Sequence, residues 1–413
     1  MKRENKFHYS WIICAVSALL LFCTHGYGNS VLPAFIPLLE EMGYSGTQSS
    51  ALVTIRTAFT VLGMFFMTRL YERISLKTGL VLCCAMVSAA FVLMGMEDSY
   101  VLYVIGAVLI GLGAGFGTTA PVSLLINKWF DSLRTTAFSV CSAGSAVSAM
   151  LLPPMIVYIA ERVSVAAAFF AVGAIAAAIT LLFAVFAKNT PQEKGLQPYV
   201  RAVETSARKS SSAIGFDASK RTKGILYLMV AITGGVTLAT YAHFSVYFTT
   251  SGYSKMTAAT CLSIGSALMF GAKILYGSAA DRIGAYKVSF VSLLVIVIGA
   301  VLMCFAPESM VLMYVGTLLV YIGFPIGTVG LPALAADFSD AASYAKVIGN
   351  CQLVCSLGGI ALTQFPGMIY DMTGSYRGAF VIACFFHFSA LVLLVVAYRA
   401  LWREKAAAEK NKV

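Results

Sequence analysis

The sequence predicts an all-α membrane protein with twelve transmembrane helices arranged as two pseudo-symmetric six-helix bundles. Three observations predict it. Of 413 residues, 59% are hydrophobic and only 11% are charged, with a mean hydropathy of +0.84. A soluble domain carries about a quarter charged residues, so this chain has too few to cover a water-facing surface. Unbroken apolar runs such as VSFVSLLVIVIGAVLMCF at 288–305 suit a helix crossing a bilayer core, which needs about 20 apolar residues. They lack the period-2 alternation, over about 10 residues, of a barrel strand. Finally, several motifs occur twice in the same order along the chain.

Apolar runs place the first six helices at 10–38, 46–71, 79–95, 100–127, 135–159 and 165–187, and the second six at 224–250, 257–279, 288–306, 309–336, 346–369 and 378–399. Lys2, Arg3 and Lys6 precede the first run as they would in a secretory signal. That run is too long for one, however, and no small-residue cleavage site follows, so an uncleaved first helix is expected. The alternating glycines Gly111, Gly113, Gly115 and Gly117 in helix 4 lack the strand before them and the Lys-Ser/Thr after them that a phosphate loop requires. They are read as points of close helix approach or bending. The polar stretch 188–223, rich in Ser, Lys and Arg, has no apolar period and reads as a mobile linker, with room for a short amphipathic surface helix. The expected organisation is thus an N-terminal bundle at 1–187, a cytoplasmic linker at 188–223, and a C-terminal bundle with a cytoplasmic tail at 224–413.

The basic residues orient the chain. Of 29 Lys and Arg, two (Arg56 and Lys273) fall mid-membrane, three (Arg162, Lys255, Arg377) on one side, and 24 on the side of both termini and the linker. The positive-inside rule makes that side cytoplasmic, in a multi-pass protein of the cell (inner) membrane. The net charge of +11 is then a topology signal and gives no reason to expect nucleic acid. Trp11, Trp129 and Trp402 fall at cytoplasmic helix ends, where interface anchors belong. The ten cysteines all lie in apolar stretches, so neither a disulfide framework nor a metal site is expected. No cofactor is expected either.

The halves repeat. Thr68–Lys77 (TRLYERISLK), between helices 2 and 3, corresponds to Gly277–Lys287 (GSAADRIGAYK), between helices 8 and 9, matching Glu72 with Asp281 and Arg73 with Arg282. TTAPVSLL in helix 4 corresponds to VGLPALAA in helix 10, aligning Pro121 with Pro332, and PPMI at 153–156 corresponds to PGMI at 366–369. Parallel repeats of this kind place a binding site near the bilayer midplane.

All 18 Asp and Glu lie at predicted helix ends or in loops, whereas Arg56 and Lys273 sit within predicted helices 2 and 8. A cation at the bilayer centre costs about 2.5–3.5 kcal/mol on insertion scales. Backbone carbonyls, water or an anion must offset that cost. Lys273 is eight residues before Asp281, so roughly 12 Å into a core about 30 Å thick. Arg56 is expected mid-membrane, nearer the outer side. One anion bound by both would couple the halves, which favours a small carboxylate as substrate. Structural readings stand beside this one: Lys273 snorkelling or bonding helix-end carbonyls, and Arg56 acting as a gate or packing residue. His25 and His243 are candidates for proton coupling, against the alternative of hydrogen-bonded packing. His387 is read as lipid-facing or packed. Tyr27 and Tyr241 are candidate hydrogen-bond donors to substrate, again with core packing as the alternative. No nucleophile–base pair, metal cluster or nucleotide loop is present, so neither an enzyme nor an ATP-driven pump is expected.

The GxxxDRxGxxK loop (Gly277, Asp281, Arg282, Gly284, Lys287), its degraded first copy with Glu72 and Arg73, the duplication and the long central loop together resemble the major facilitator superfamily over the whole chain. Within it the chain looks like the monocarboxylate porters and oxalate:formate antiporters. That narrower resemblance lies in Trp11, GYGNSVLPAFIPLLEEMGYSGTQSS (26–50), KWFDSLRTTAFSVCSAGSAVS (128–148), YDMTGSYRGAF (370–380) and Lys273, four residues before Gly277. The resemblance implies a secondary transporter of small organic anions working by alternating access, through anion exchange or proton symport; a monomer is expected. It implies that Lys273 occupies the helix-8 position that binds substrate carboxylate, that helices 1, 4, 7 and 10 line the cavity, and that the Asp281–Lys287 loop holds the outward-open state. Two positions depart from the pattern: Lys stands where Arg is usual, and helix 11 lacks the second cation associated with oxalate, so oxalate itself is not implied. Efflux or uptake of a neutral or amphipathic solute, and a non-transporting membrane sensor, are the other readings kept open.

Overall fold

The computed structural model of the chain describes residues 8–200, 216–363 and 365–410. Among these, twelve helices are long and apolar enough to cross a membrane. They are α1 (Ser10–Glu41), α2 (Gly46–Arg73), α3 (Leu76–Met96), α4 (Tyr100–Trp129), α5 (Arg134–Arg162), α6 (Val165–Phe186), α7 (Lys220–Thr250), α8 (Lys255–Ile283), α9 (Ala285–Cys304), α10 (Met310–Gly327), α11 (Tyr344–Thr373) and α12 (Arg377–Lys410). Gly330–Asp337 continues the path of α10 as a short further helix. The chain divides into two compact units, Met1–Arg208 and Lys209–Val413.

Serine starts many of these helices, because its hydroxyl can accept from one of the first backbone N–H groups, which have no partner inside the helix. Ser75, Ser164, Ser219 and Ser254 accept from Thr78, Ala167, Thr222 and Thr257 at 3.0–3.2 Å. Ser45 and Gln48 form a reciprocal capping box at the start of α2. The Ser219 cap starts α7 four residues earlier than the apolar pattern predicts.

Polar segments also pack more closely than the sequence suggests. Residues 188–200 of the predicted mobile linker fold back on the first unit: the Tyr199 N–H donates to the Trp129 carbonyl at 2.9 Å, and its own carbonyl accepts from Asp131 at 3.0 Å. The Tyr199 ring meets those of Trp11 and Phe130 edge-on or tilted, at 5.9 and 5.6 Å between centroids. On the second unit, Ala218 donates to the Phe338 carbonyl. Residues 201–215 lie outside the described residues. The tail beyond 399 continues α12 as helix to Lys410; it is rich in Ala, Glu and Lys, strong helix formers. Glu404 fastens it by accepting from the Ser219 and Thr222 hydroxyls at 2.5 and 2.6 Å.

The two units repeat specific contacts. A Cβ on Gly144 of α5 would lie 2.0 Å from the Ala18 carbonyl oxygen of α1, and a Cβ on Gly358 of α11 would lie 2.0 Å from that of Ala231 in α7. Only glycine permits either crossing. Phe35 of α1 stacks on Phe169 of α6 at 3.9 Å, and Tyr247 of α7 stacks on Phe380 of α12 at 4.3 Å. The helix of α4 breaks at Gly117-Thr118, and the path of α10 breaks between Phe324 and Val329. In α4 the glycines divide their roles. Gly111 and Gly115 lie against the Arg56 and Thr60 carbonyls of α2, Gly113 against Cys83 of α3, and Gly117 ends the first segment.

Candidate substrate site

The most unusual backbone in the first unit lies within α1. After an ordinary α-helix at Ser10–Leu21, the chain winds as a π-helix from Phe22 to Val31 (FCTHGYGNSV). Long π segments are rare and concentrate at functional sites. The sequence explains why a carbonyl becomes available there. The Leu32 N–H donates to the Tyr27 carbonyl. In the same i→i+5 register the next donor, toward the Gly28 carbonyl, would come from residue 33. That residue is proline, which has no N–H.

Arg56 of α2 fills the role. Its Nη2 donates to the Gly28 carbonyl and, at 2.9 Å, to the Asn29 Oδ1. The guanidinium lies against the backbone here: a Cβ on Gly28 would sit in ordinary contact, 3.4 Å from the Arg56 Cζ. Arg56 is 9% exposed. Its described partners are neutral oxygens, and its buried Nε–H has no acceptor among the described residues. A buried donor left unsatisfied costs about 1–3 kcal/mol, so this guanidinium retains both charge and hydrogen-bonding capacity for another group.

The network extends one step. Asn29 Nδ2 lies 3.2 Å from His25 Nε2, one turn back on α1. Asn29 is exposed and His25 half-buried. Polar side chains within membrane helices face the bundle interior or a water-filled cavity rather than lipid. Asn29 was not among the expected site residues. The Gly28–Pro33 spacing and the neighbouring glycines are the signals that point to it.

Lys273 of α8 is 2% exposed, with Met269, Ala272 and Tyr276 of the same helix also buried. The Tyr276 hydroxyl lies 2.6 Å from the Ser289 hydroxyl of α9. A Cβ on Gly330 would come within 2.7 Å of that tyrosine oxygen, so α8, α9 and the helix after the α10 break converge one turn from Lys273.

The tyrosines separate. Tyr27 is fully buried, its hydroxyl donating to the Val172 carbonyl of α6 at 3.1 Å and its ring edge-on to Phe91 at 5.4 Å. Those contacts favour the packing reading of Tyr27 over the substrate-facing one: its polar end is already satisfied inside the aromatic core of the first unit. Tyr241 is 36% exposed beside Tyr321 and Phe324 of α10, at 5.2 and 5.7 Å between ring centroids. His243 bonds the Ala239 carbonyl at 2.9 Å through Nδ1, which therefore carries a proton. His387 is fully buried, and neither ring nitrogen has a hydrogen-bond partner among the described residues; it is packed, not lipid-facing.

In the repeated loop, Gly284 closes α8 and opens α9 at φ +91°, a conformation that L side chains rarely adopt. The first-half counterpart Ser75 is instead extended, at φ −66° and ψ 151°, and caps α3 through its hydroxyl. The degraded copy thus makes the same turn by a different device and has no need of the glycine. Gly277 is buried and Asp281 half-buried, while Arg282, Lys287, Glu72 and Arg73 are exposed. Among the described residues, no group of three or more His, Cys, Asp or Glu is arranged to hold a metal ion.

Comparison with known proteins places this architecture. The chain matches the Major Facilitator Superfamily over residues 18–360, with a second, overlapping match over 269–413. It is 23% identical to human monocarboxylate transporter 11 over 91% of this chain and 80% of that protein. In structure it is similar to the human organic anion transporter MFSD10 (TETRAN), with a TM-score of 0.69 at 15% identity over 94% of this chain and 99% of the other. It is similar also to the MFS transporter FucP in its outward conformation, with a TM-score of 0.70 at 14% identity over the same shares of the two chains. With its twelve membrane-spanning helices, the chain belongs to the Major Facilitator Superfamily, a family of secondary transporters and not of enzymes.

Proposed function

We propose that this transporter moves a small organic anion, a mono- or dicarboxylate, by alternating access, and that Arg56 and Lys273 supply the positive charge that selects it. The observation that carries the reading is Arg56: a guanidinium buried within the span, held by two neutral oxygens, with its Nε–H unsatisfied among the described residues. A carboxylate is the natural complement, since the planar fork of an arginine matches its two oxygens. Lys273, buried at the position that the monocarboxylate porters use for a substrate-binding cation, supports the same reading from the second half, as does the relationship to a protein named as a monocarboxylate transporter. Tyr241, half-exposed beside Tyr321, is the tyrosine we retain as a substrate contact, and His243 stays a second candidate for proton coupling. The Asp281–Lys287 loop, with Glu72 and Arg73 in its first-half copy, serves as the conformational latch. The excess of Lys and Arg beside both termini supports a cytoplasmic location for them.

The test is reconstitution into liposomes with a panel of labelled mono- and dicarboxylates, neutral analogues of the same size, and the Arg56→Gln and Lys273→Gln variants. Each substitution is expected to lower affinity for the transported anion by about 10- to 100-fold, the loss of a charge-assisted bond. Preferential uptake of neutral analogues, or unchanged affinity in both variants, would overturn the proposal.

A further inference from the structure

Arg56 has only donors, so the Asn29 amide must present its oxygen to the guanidinium and its NH₂ to His25. The His25 Nε2 is then an acceptor, which fixes the ring as neutral with its proton on Nδ1. From this chain of bonds we infer that His25 is the proton site coupled to the anion site, acting through Asn29 on Arg56. The inference rests on the proposed role of Arg56 and selects proton symport from the two coupling modes left open.

The logic is one of donors and acceptors. A proton arriving at His25 Nε2 turns that atom into a donor facing the Asn29 NH₂, a donor–donor contact. The amide removes it by turning over, so that Oδ1 accepts from His25; Nδ2 then faces the Arg56 N–H, a donor–donor contact that is relieved when a bound anion accepts from both. That orientation breaks the Arg56–Asn29 bond and frees one guanidinium N–H, while the Gly28 carbonyl keeps its own. At the same time His25 gains a positive charge close to the freed guanidinium. Both changes favour an anion at Arg56. By linkage, an anion bound there favours the proton on His25 to the same degree. Proton and anion therefore bind together and leave together.

Among the described residues of the first unit, few other ionisable groups lie on the elements packed against the π segment. On α1 itself the ionisable neighbours are Cys23 and Tyr27, both buried, with the Tyr27 hydroxyl bonded to Val172. Helix α5, packed against the π segment, brings Ser148 against Gly26 and has no ionisable side chain between Cys141 and Tyr158. Helix α4 meets Thr24 at the Gly117 carbonyl and has none between Tyr103 and Lys128. Helix α3 offers the buried thiols Cys83 and Cys84, α6 meets the segment at Val172 with no ionisable side chain along its length, and α2 offers Arg56.

Two measurements test the inference. In detergent-solubilised protein with ¹⁵N-labelled histidine, the signal lost on His25→Gln should belong to an Nδ1–H tautomer at about pH 8; an Nε2–H tautomer would overturn the relay whatever the substrate. In proteoliposomes, binding of labelled pyruvate, ionised throughout, should tighten about 10-fold as pH falls from about 8 to 5.5, across the range in which histidine titrates. The His25→Gln variant keeps an acceptor for Asn29 but cannot take the proton, so its affinity should stay near the wild-type value at pH 8 at every pH. Wild-type pH dependence persisting in His25→Gln would overturn the coupling even where Arg56→Gln abolishes binding. Unchanged binding in Arg56→Gln would instead sink the anion site on which the coupling depends.

Discussion

Asn29→Asp probes the charge state of the site by supplying an internal counterion. The side chain keeps its shape, and Oδ1 already accepts from the Arg56 Nη2 at 2.9 Å, so the variant places a full negative charge against the guanidinium; its second oxygen has no proton to donate, so the His25 Nε2 beside it must carry the ring's proton instead of accepting. Two unit charges about 4 Å apart attract by about 4 kcal/mol at an effective dielectric constant of about 20. The neutral amide bond that is replaced contributes about 1 kcal/mol. An incoming carboxylate therefore competes against about 3 kcal/mol of new internal pairing, and its affinity should fall roughly 100-fold. The assay is labelled-carboxylate binding in proteoliposomes at about pH 8, with a thermal melt in detergent as the folding control and Asn29→Ser as the neutral comparison. Asn29→Ser loses one bond and should weaken binding by about 10-fold or less. If Asn29→Asp bound the anion as tightly as wild type while remaining folded, Arg56 would not be the group that neutralises the substrate.

Three further outcomes follow from particular contacts. Gly144→Ala and Gly358→Ala each place a Cβ 2.0 Å from a facing carbonyl oxygen and should cost about 1–3 kcal/mol through forced helix separation, lowering the detergent melting temperature. Gly28→Ala, whose Cβ would meet Arg56 at an ordinary 3.4 Å, should melt like wild type. Tyr27→Phe should leave transport unchanged and lower stability by about 1 kcal/mol, because its hydroxyl bonds the Val172 carbonyl inside the unit; a change in substrate affinity would return Tyr27 to the site. Burial raises the Asp337 carboxyl from its ordinary 3.8 to about 6, against the opposing effect of the bond donated by Tyr398. A carboxyl raised on folding penalises the fold when ionised, so stability should rise as pH falls from about 7 toward 4. Asp337→Asn should stabilise the protein at neutral pH by about 1–2 kcal/mol, allowing for the partial exposure of the side chain, with the gain vanishing in acid. Equal gains at pH 7 and pH 4 would contradict this.

What the sequence reveals of this fold is what apolar length and charge position control. All twelve spans, the duplication and the burial of Arg56 and Lys273 follow from runs of apolar residues interrupted by two cations. What it conceals depends on hydrogen bonds between distant segments. The stretch 188–200 is polar and without apolar period, so it reads as mobile, yet Tyr199 holds it to Trp129 and Asp131 by backbone bonds that leave no periodic trace. The tail past 399 is charged, and its helix rests on good helix formers and on Glu404 reaching Ser219. The π segment is the deepest omission. Helical apolar periodicity looks much the same in α and π windings, so α1 reads as a plain helix. Only the chemistry of Pro33, which withholds a donor from the Gly28 carbonyl, hints that this turn faces outward to a partner. Tyr27 is the converse case: a tyrosine within a membrane helix is ambiguous until its hydroxyl is seen bonded to Val172.

The most direct test of the central claim, that buried cations select a negatively charged cargo, is to compare the transported carboxylate with its uncharged amide isostere. Binding of both would be measured in wild type, Arg56→Gln, Lys273→Gln and the double variant. Wild type is expected to prefer the acid by about 100-fold or more, each single substitution to erode the preference, and the double variant no longer to distinguish the two. Acid and amide binding alike in wild type, or a preference intact in the double variant, would contradict it.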